Sequence, residues 1–179
     1  MEDFQIKKYV DLCKQGNADA FRHIVSEYQQ LIYTLAFRIL CNETYAEDIA
    51  QETFIKVWQN MGRYNEQYKF TTWIYKIACN ACYDKLRAER NVKNINLTDY
   101  EIVSETKQDE LLHHKELKKL ILKLTNELSP KQKLIFTLSD IEDLEVKEIQ
   151  IITGMTSAKI KSNLYLARKF IKSKINSYE

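Results

Sequence analysis

Apolar side chains recur every three to four positions along most of the chain, the spacing of helices that bury one face. A first segment carries Phe4, Ile6, Tyr9, Val10 and Cys13 and closes near Gly16. A second carries Phe21, Ile24, Val25, Tyr28, Leu31, Ile32, Leu35, Ala36, Ile39 and Leu40. A third opens at Thr44, with Glu47 in the capping-box position three residues on. It runs through Ile49, Ala50, Thr53, Phe54, Val57, Trp58 and Met61 to Gly62. Residues 63–72 are polar and aromatic without a period and read as a loop. A fourth helix covers 73–90, with Ile74, Ile77, Ala78, Ala81 and Leu86 inward.

The pattern then breaks over 91–108, a stretch too long for an ordinary connection inside one compact domain. It resumes with Leu111, Leu112, Leu117, Leu120, Ile121, Leu124 and Leu128. Ser129-Pro130-Lys131-Gln132 marks a sharp helix start: Ser at the cap, Pro in the first turn, Gln at the capping-box position. The next helix carries Leu134, Ile135, Leu138 and Ile141. An acidic turn follows, then a short helix over 146–152, Gly154, and a last helix over 157–175. The expected fold is all-α: two small helical domains, 1–91 and 109–179, joined by a flexible linker over 92–108.

Composition narrows this without changing it. Three Gly and one Pro in 179 residues exclude loop-rich and collagen-like chains, and no tight-hairpin dipeptide is present. The net charge of +2 conceals an uneven distribution. Residues 125–153 hold 3 basic and 6 acidic side chains, net −3, whereas 154–179 hold 6 and 1, net +5. No apolar run approaches the roughly 18 residues that cross a bilayer, and Met1-Glu2-Asp3-Phe4 is no signal peptide. A cytoplasmic protein without membrane insertion is expected. Cys79 and Cys82 form a C-x-x-C with no second pair and no nearby His. They read as small core residues of a helix rather than a metal or redox pair.

The strongest chemical pattern lies in the last fifty residues. Two helices meet at Thr153-Gly154-Met155, a turn in which Gly takes a left-handed conformation freely, and the second helix is basic. At 100° per residue, Ile160, Leu164, Ala167 and Ile171 share one stripe. Opposite lie Ala158, Ser162, Tyr165 and Lys169, flanked by Lys159, Lys161, Arg168 and Lys172. Small and hydrogen-bonding groups suit base edges, and a rim of cations suits phosphates. A second pattern interleaves Tyr64, Tyr68, Phe70, Trp73 and Tyr75 with Arg63, Lys69 and Lys76. Aromatic faces beside cations suit single-stranded nucleic acid, although Phe70 is expected in the core. Lys76, Asn80, Tyr83 and Arg87 continue this face at helical spacing.

With those residues in view, the chain resembles the RNA polymerase sigma factors of the sigma-70 family, extracytoplasmic-function (ECF) group. Asp19-Ala20-Phe21 through Leu40 and the run from Ala46 to Trp58 resemble sigma domain 2, as does Phe70-Thr71-Thr72-Trp73 with Asn80, Asp84 and Arg87. Leu128 to Gln132, Glu148-Ile149 and the run from Ile160 to Arg168 are similar to sigma domain 4. Departures are Asn163 and Leu166 where Arg is commoner, Gln150 in place of a small residue, and Glu145 in place of Ser.

The resemblance implies promoter-specific initiation with core polymerase, through its beta and beta-prime subunits, and promoter DNA as partners. It also raises an anti-sigma protein as a partner. Glu47, Asp48, Gln51, Glu52 and Trp58 are expected to dock core polymerase. Tyr64, Tyr68, Trp73, Lys76, Asn80, Tyr83 and Arg87 are expected at the −10 element. Ala158, Lys159, Lys161, Ser162, Tyr165, Arg168 and Lys169 are expected at the −35 element. No catalytic residue, metal or cofactor is expected. The alternatives are a stand-alone helix–turn–helix regulator, which leaves the run from Ala46 to Trp58 unused, and a thiol or protein-interaction module, which leaves the basic helix unused.

Overall fold

The computed structural model describes residues 3–93 and 123–176, and among them there is no strand. The first block holds α1 (Asp3–Lys14), α2 (Ala18–Leu40), α3 (Glu43–Asn60) and α4 (Phe70–Lys93). The second holds α5 (Pro130–Phe136), a π-helical turn (Thr137–Ile141), α6 (Val146–Thr153) and α7 (Ser157–Ile175). Residues 94–122, which include most of the expected linker and the apolar run from Leu111 to Ile121, lie outside the described residues.

Helix α2 is the spine of the first block. Asn17 caps it, its Oδ1 accepting from the Ala20 amide at 2.9 Å. Ile24, Ile32, Leu35 and Ile39 on one stripe are fully buried. Around it pack α1, α3 and α4, and α3 also packs on α4. The start of α3 differs from the sequence-based expectation: Asn42, not Thr44, is the cap, its Oδ1 accepting from the Tyr45 amide at 2.9 Å. Cys41 takes a left-handed backbone (φ 55°) that closes α2, so Asn42 is already free to cap and the helix starts one residue before Thr44.

Gly62 does not end α3 as a C-cap would. The chain tightens into a 3-10 turn, Met61–Arg63, with Met61 buried. Helix α4 starts at Phe70 and reaches Lys93, longer at both ends than expected. Burial of Phe70 and Thr72 explains the early start, because both side chains anchor the first turn in the core.

In the second block, Ser129 and Gln132 form the expected capping box: the Gln132 amide donates to Ser129 Oγ at 3.3 Å and the Ser129 amide to Gln132 Oε1 at 3.0 Å. Helices α5 and α6 both pack on α7, whose Ile160, Leu164, Ala167 and Ile171 are buried as the sequence pattern requires. The two blocks are packed together, with α4 lying against α6 and α5. Periodicity within each helix gave no sign of this packing.

Candidate nucleic-acid interface

Phe70 is the hub of the aromatic face. Its ring centroid lies 5.4 Å from Tyr28, 5.3 Å from Tyr64 and 5.5 Å from Trp73. Tyr64 and Trp73 are 5.2 Å from each other. Rings packed edge-on or tilted in this way hold one another in place. Tyr64 also donates its hydroxyl to the Tyr68 carbonyl at 2.6 Å, which ties the loop across its own turn. Asn65 Oδ1 accepts from the Gln67 amide at 3.0 Å, an Asx turn inside that loop.

Tyr64 and Trp73 are thereby half-buried, with Tyr68 exposed. Along α4, Lys76, Asn80 and Arg87 are exposed and Tyr83 is half-buried, with the Arg87 guanidinium 5.8 Å from the Tyr83 ring. Trp73 opens this row on α4 and Tyr64 carries it back into the loop. Tyr75 is different: it is buried and points away, toward the second block. Phe70 is core, as expected.

One part of this loop was invisible in the sequence. Glu66 accepts from Lys14 Nζ at 2.8 Å and pairs with Lys7 Nζ at 3.0 Å, so α1 grips the loop through two lysines. Those lysines hold the Glu66 carboxyl below its ordinary value, chiefly by hydrogen bonding. The partners are 52 residues apart for Lys14, and no periodic signal reports an interaction of that range.

The basic face of α7 is as the helical pattern places it. Ala158, Lys159, Lys161, Ser162, Tyr165, Arg168 and Lys169 are all exposed, Tyr165 by 65%. Gly154 ends α6 with φ 68°, and its amide donates to the Gln150 carbonyl at 2.8 Å. Thr156 caps α7, accepting from the Lys159 amide. Arg168 is engaged within the block. Its Nε and Nη2 reach the Asp140 carboxylate at 3.1 and 2.7 Å, a forked pair. Leu166, to which the helical pattern gave no role, is also exposed.

On α3, Glu47, Asp48, Gln51, Glu52 and Trp58 share one exposed side, with Glu52 paired to Lys56 at 2.6 Å. Trp58 leans on Phe21 at 5.0 Å and keeps 37% of its surface in solvent. Ile55 falls between Gln51 and Trp58 on this side and is 57% exposed, the apolar centre that sequence reasoning did not assign. Its position off the inward stripe was the available signal. Leu31 on α2, grouped with the apolar stripe in sequence, also faces outward.

Cys79 and Cys82 are free and buried. Burial pushes the Cys82 thiol up to about 12 and the Cys79 thiol well above its ordinary value. Thiols held protonated this way are poor nucleophiles and ligands. Among the described residues, no group of His, Cys, Asp and Glu is arranged to hold a metal ion.

Comparison with known proteins follows the same division of the chain. Sigma-70 region 2 matches residues 24–92, and Sigma-70, region 4 matches residues 118–171. The "ECF RNA polymerase sigma factor SigW" of Bacillus subtilis is 27% identical, covering 97% of this chain and 98% of its own length. The "ECF RNA polymerase sigma-E factor" of Haemophilus influenzae is 26% identical, over 93% of each. In fold, CnrH, solved in complex with the cytosolic domain of CnrY, superposes with a TM-score of 0.69 at 14% identity, covering 98% of this chain and 99% of its own. The sigma factor RpoE of Bartonella quintana, solved with the anti-sigma factor NepR, gives 0.67 at 20% identity, covering 87% and 96%.

Two helical blocks that match Sigma-70 region 2 and region 4 define a transcription initiation factor. The chain belongs to the sigma-70 family of RNA polymerase sigma factors, in the ECF group. It acts with core RNA polymerase on promoter DNA to initiate transcription.

Proposed function

We propose a division of labour along the chain. The first block, 1–91, docks core polymerase through Glu47, Asp48, Gln51, Glu52 and Trp58, with Ile55 as the apolar centre. Exposed apolar anchors ringed by charge are what a specific interface needs. The aromatic loop and α4 capture an unstacked −10 base: Trp73 and Tyr64 offer faces for stacking, Asn80 a hydrogen-bonding edge, Lys76 and Arg87 charge for the backbone. The second block, 109–179, reads the −35 duplex with α7. Ser162 and Tyr165 meet base edges while Lys159, Lys161 and Lys169 meet phosphates. Residues 92–108 connect the two.

The chain performs no catalysis of its own and works in the cytoplasm, where polymerase and promoter meet. The two solved relatives are each bound to a protein partner, the cytosolic domain of CnrY for one and the anti-sigma factor NepR for the other. We extend an anti-sigma partner to this chain as well.

The observation that supports the reading most is the half-buried Tyr64–Trp73 pair, continuous with the polar row on α4. A stand-alone helix–turn–helix regulator has no use for it. Run-off transcription with purified core polymerase and a library of genomic fragments is the test. Initiation at discrete sites that requires this chain is expected. Binding to duplex DNA without any chain-dependent initiation overturns the proposal.

A further inference from the structure

The face assigned above to the −10 strand is confined on one side, although Lys76 and Asn80 keep access to solvent. Across it lie α6 and the following turn, which leave a cleft of about 650 Å³. Trp73, Lys76 and Asn80 line one wall of this cleft, and Gln150, Ile151 and Gly154 line the other. A strand of DNA and the second block therefore compete for the same side chains.

A carboxylate bridges the two blocks in this position. The π-helical turn ends with the Glu142 amide donating to the Thr137 carbonyl at 2.9 Å, and it presents two acids in different directions. Asp140 turns back to Arg168 on α7. Glu142 turns outward to the first block. One of its oxygens accepts from Arg38 Nη1 on α2 at 2.6 Å, and the other lies 3.4 Å from the Tyr75 hydroxyl on α4. The partners are 104 and 67 residues away in sequence. The Glu142 side chain is only 9% exposed, so its charge has given up most of its water. Removing one partner leaves a carboxylate that is better satisfied in solvent, which favours separation of the blocks.

The surrounding packing is consistent with a closed joint. Lys133 on α5 is buried, with its Nζ near Asn126 Oδ1. Cys79 and Cys82 are buried on α4 one and two turns after Tyr75, whose hydroxyl meets Glu142.

We propose that Glu142, gripped by Arg38 and Tyr75, is an intramolecular clasp that keeps the −10 face covered by α6 until the two blocks are drawn apart. The proposal rests on the assignment of that face to the −10 strand. Closure lowers apparent affinity for single-stranded DNA by the fraction of molecules that are open. A partner that binds the blocks apart raises that fraction.

The experiment uses the full chain without polymerase. Small-angle scattering measures compactness, and alkylation at neutral pH followed by peptide mapping measures access to Cys79 and Cys82. Anisotropy with a labelled mixed-sequence 12-nucleotide single strand measures binding, since stacking faces are tolerant of sequence. Glu142→Gln and Arg38→Gln are each expected to expand the particle, expose both thiols and tighten single-strand binding about tenfold. The exchanged pair Arg38→Glu with Glu142→Arg is expected to return all three toward wild type. Arg38, the more exposed partner, carries the test if Glu142→Gln loses helix content by circular dichroism. Unchanged compactness and thiol access in the single variants overturn the clasp. Expansion and thiol exposure without tighter binding uphold the clasp and overturn the −10 assignment of the face it covers.

Discussion

The two surfaces proposed to meet DNA are built on different physical terms. The aromatic face of the first block has its stacking groups half-buried, and each ring is held by another: Tyr64 and Trp73 on Phe70, and Phe70 on Tyr28. The basic face of α7 is made of exposed side chains around Ser162 and Tyr165, and its order comes from the helix beneath it. The contrast follows from the ligands. A base taken out of a stack needs a preformed planar seat, because the seat must offset the few kcal/mol lost on unstacking. Phosphates on an intact duplex need only charge at the right height, and loose lysines supply it. Damage to the first face should therefore be steep and local, and damage to the second graded and salt-sensitive.

The largest effect takes both faces out of play. Ile55→Asp places a charge at the apolar centre of the proposed docking side, where a central anchor is worth about 2 kcal/mol or more. A roughly thirtyfold loss of affinity for core polymerase is expected by pull-down titration, with helix content unchanged. Wild-type binding would show that α3 docks through another side.

Next in size is Trp73→Ala. Stacking of a base on an aromatic ring is worth about 1–3 kcal/mol, and toward the lower end of that range promoter opening should fall roughly tenfold. Permanganate reactivity of −10 thymines, measured on the polymerase complex, reads this directly. Protection of the −35 region should persist. Loss of both together would mean that the two faces are not separable in the way their construction suggests.

The basic face allows a change in either direction. Lys161→Ala should weaken binding to every sequence alike and lower the salt slope by about 0.9, the share of a single neutralised phosphate. Asp140→Asn releases Arg168 from its forked pair and should raise the slope by a similar amount, about 0.9, if Arg168 then reaches a phosphate. Ser162→Ala should alter the preferred −35 sequence, read by selection on randomised sites, without changing the slope.

This asymmetry also governs what could be read from the sequence. Helical period alone located α7 to the residue and sorted its buried stripe from its exposed face, because a single helix carries both. Ser129 and Gln132 announced the start of α5 for the same local reason. At α3 two local signals competed: Thr44 with Glu47 looked like a capping box, but Asn42 follows the left-handed Cys41 and wins the cap. Long-range features were silent. Nothing in the run around Glu142 indicates that it meets Arg38 and Tyr75, since its neighbours in sequence are acidic and its partners lie in another block. Ile55 was legible only by its absence from the inward stripe. The function was easier to read than the arrangement, because the residues proposed to meet DNA sit on faces that periodicity exposes.

The smallest effect sits where the first face depends on an interaction of that silent kind. Glu66 holds the aromatic loop against α1 through Lys7 and Lys14, all in solvent, and exposed ion pairs contribute little. Lys14 also lies 5.9 Å from the Tyr64 ring, so a shift of the loop reaches the stacking seat. Glu66→Lys is expected to slow promoter opening about twofold at low salt, with core binding unchanged. The difference should vanish at high salt, where wild type loses the same attraction to screening. Glu66→Lys combined with Lys7→Glu and Lys14→Glu restores the opposite pairing and should recover the rate. A deficit that ignores salt and is not recovered would mean that Glu66 acts on the DNA itself, and that the loop is held by its rings alone.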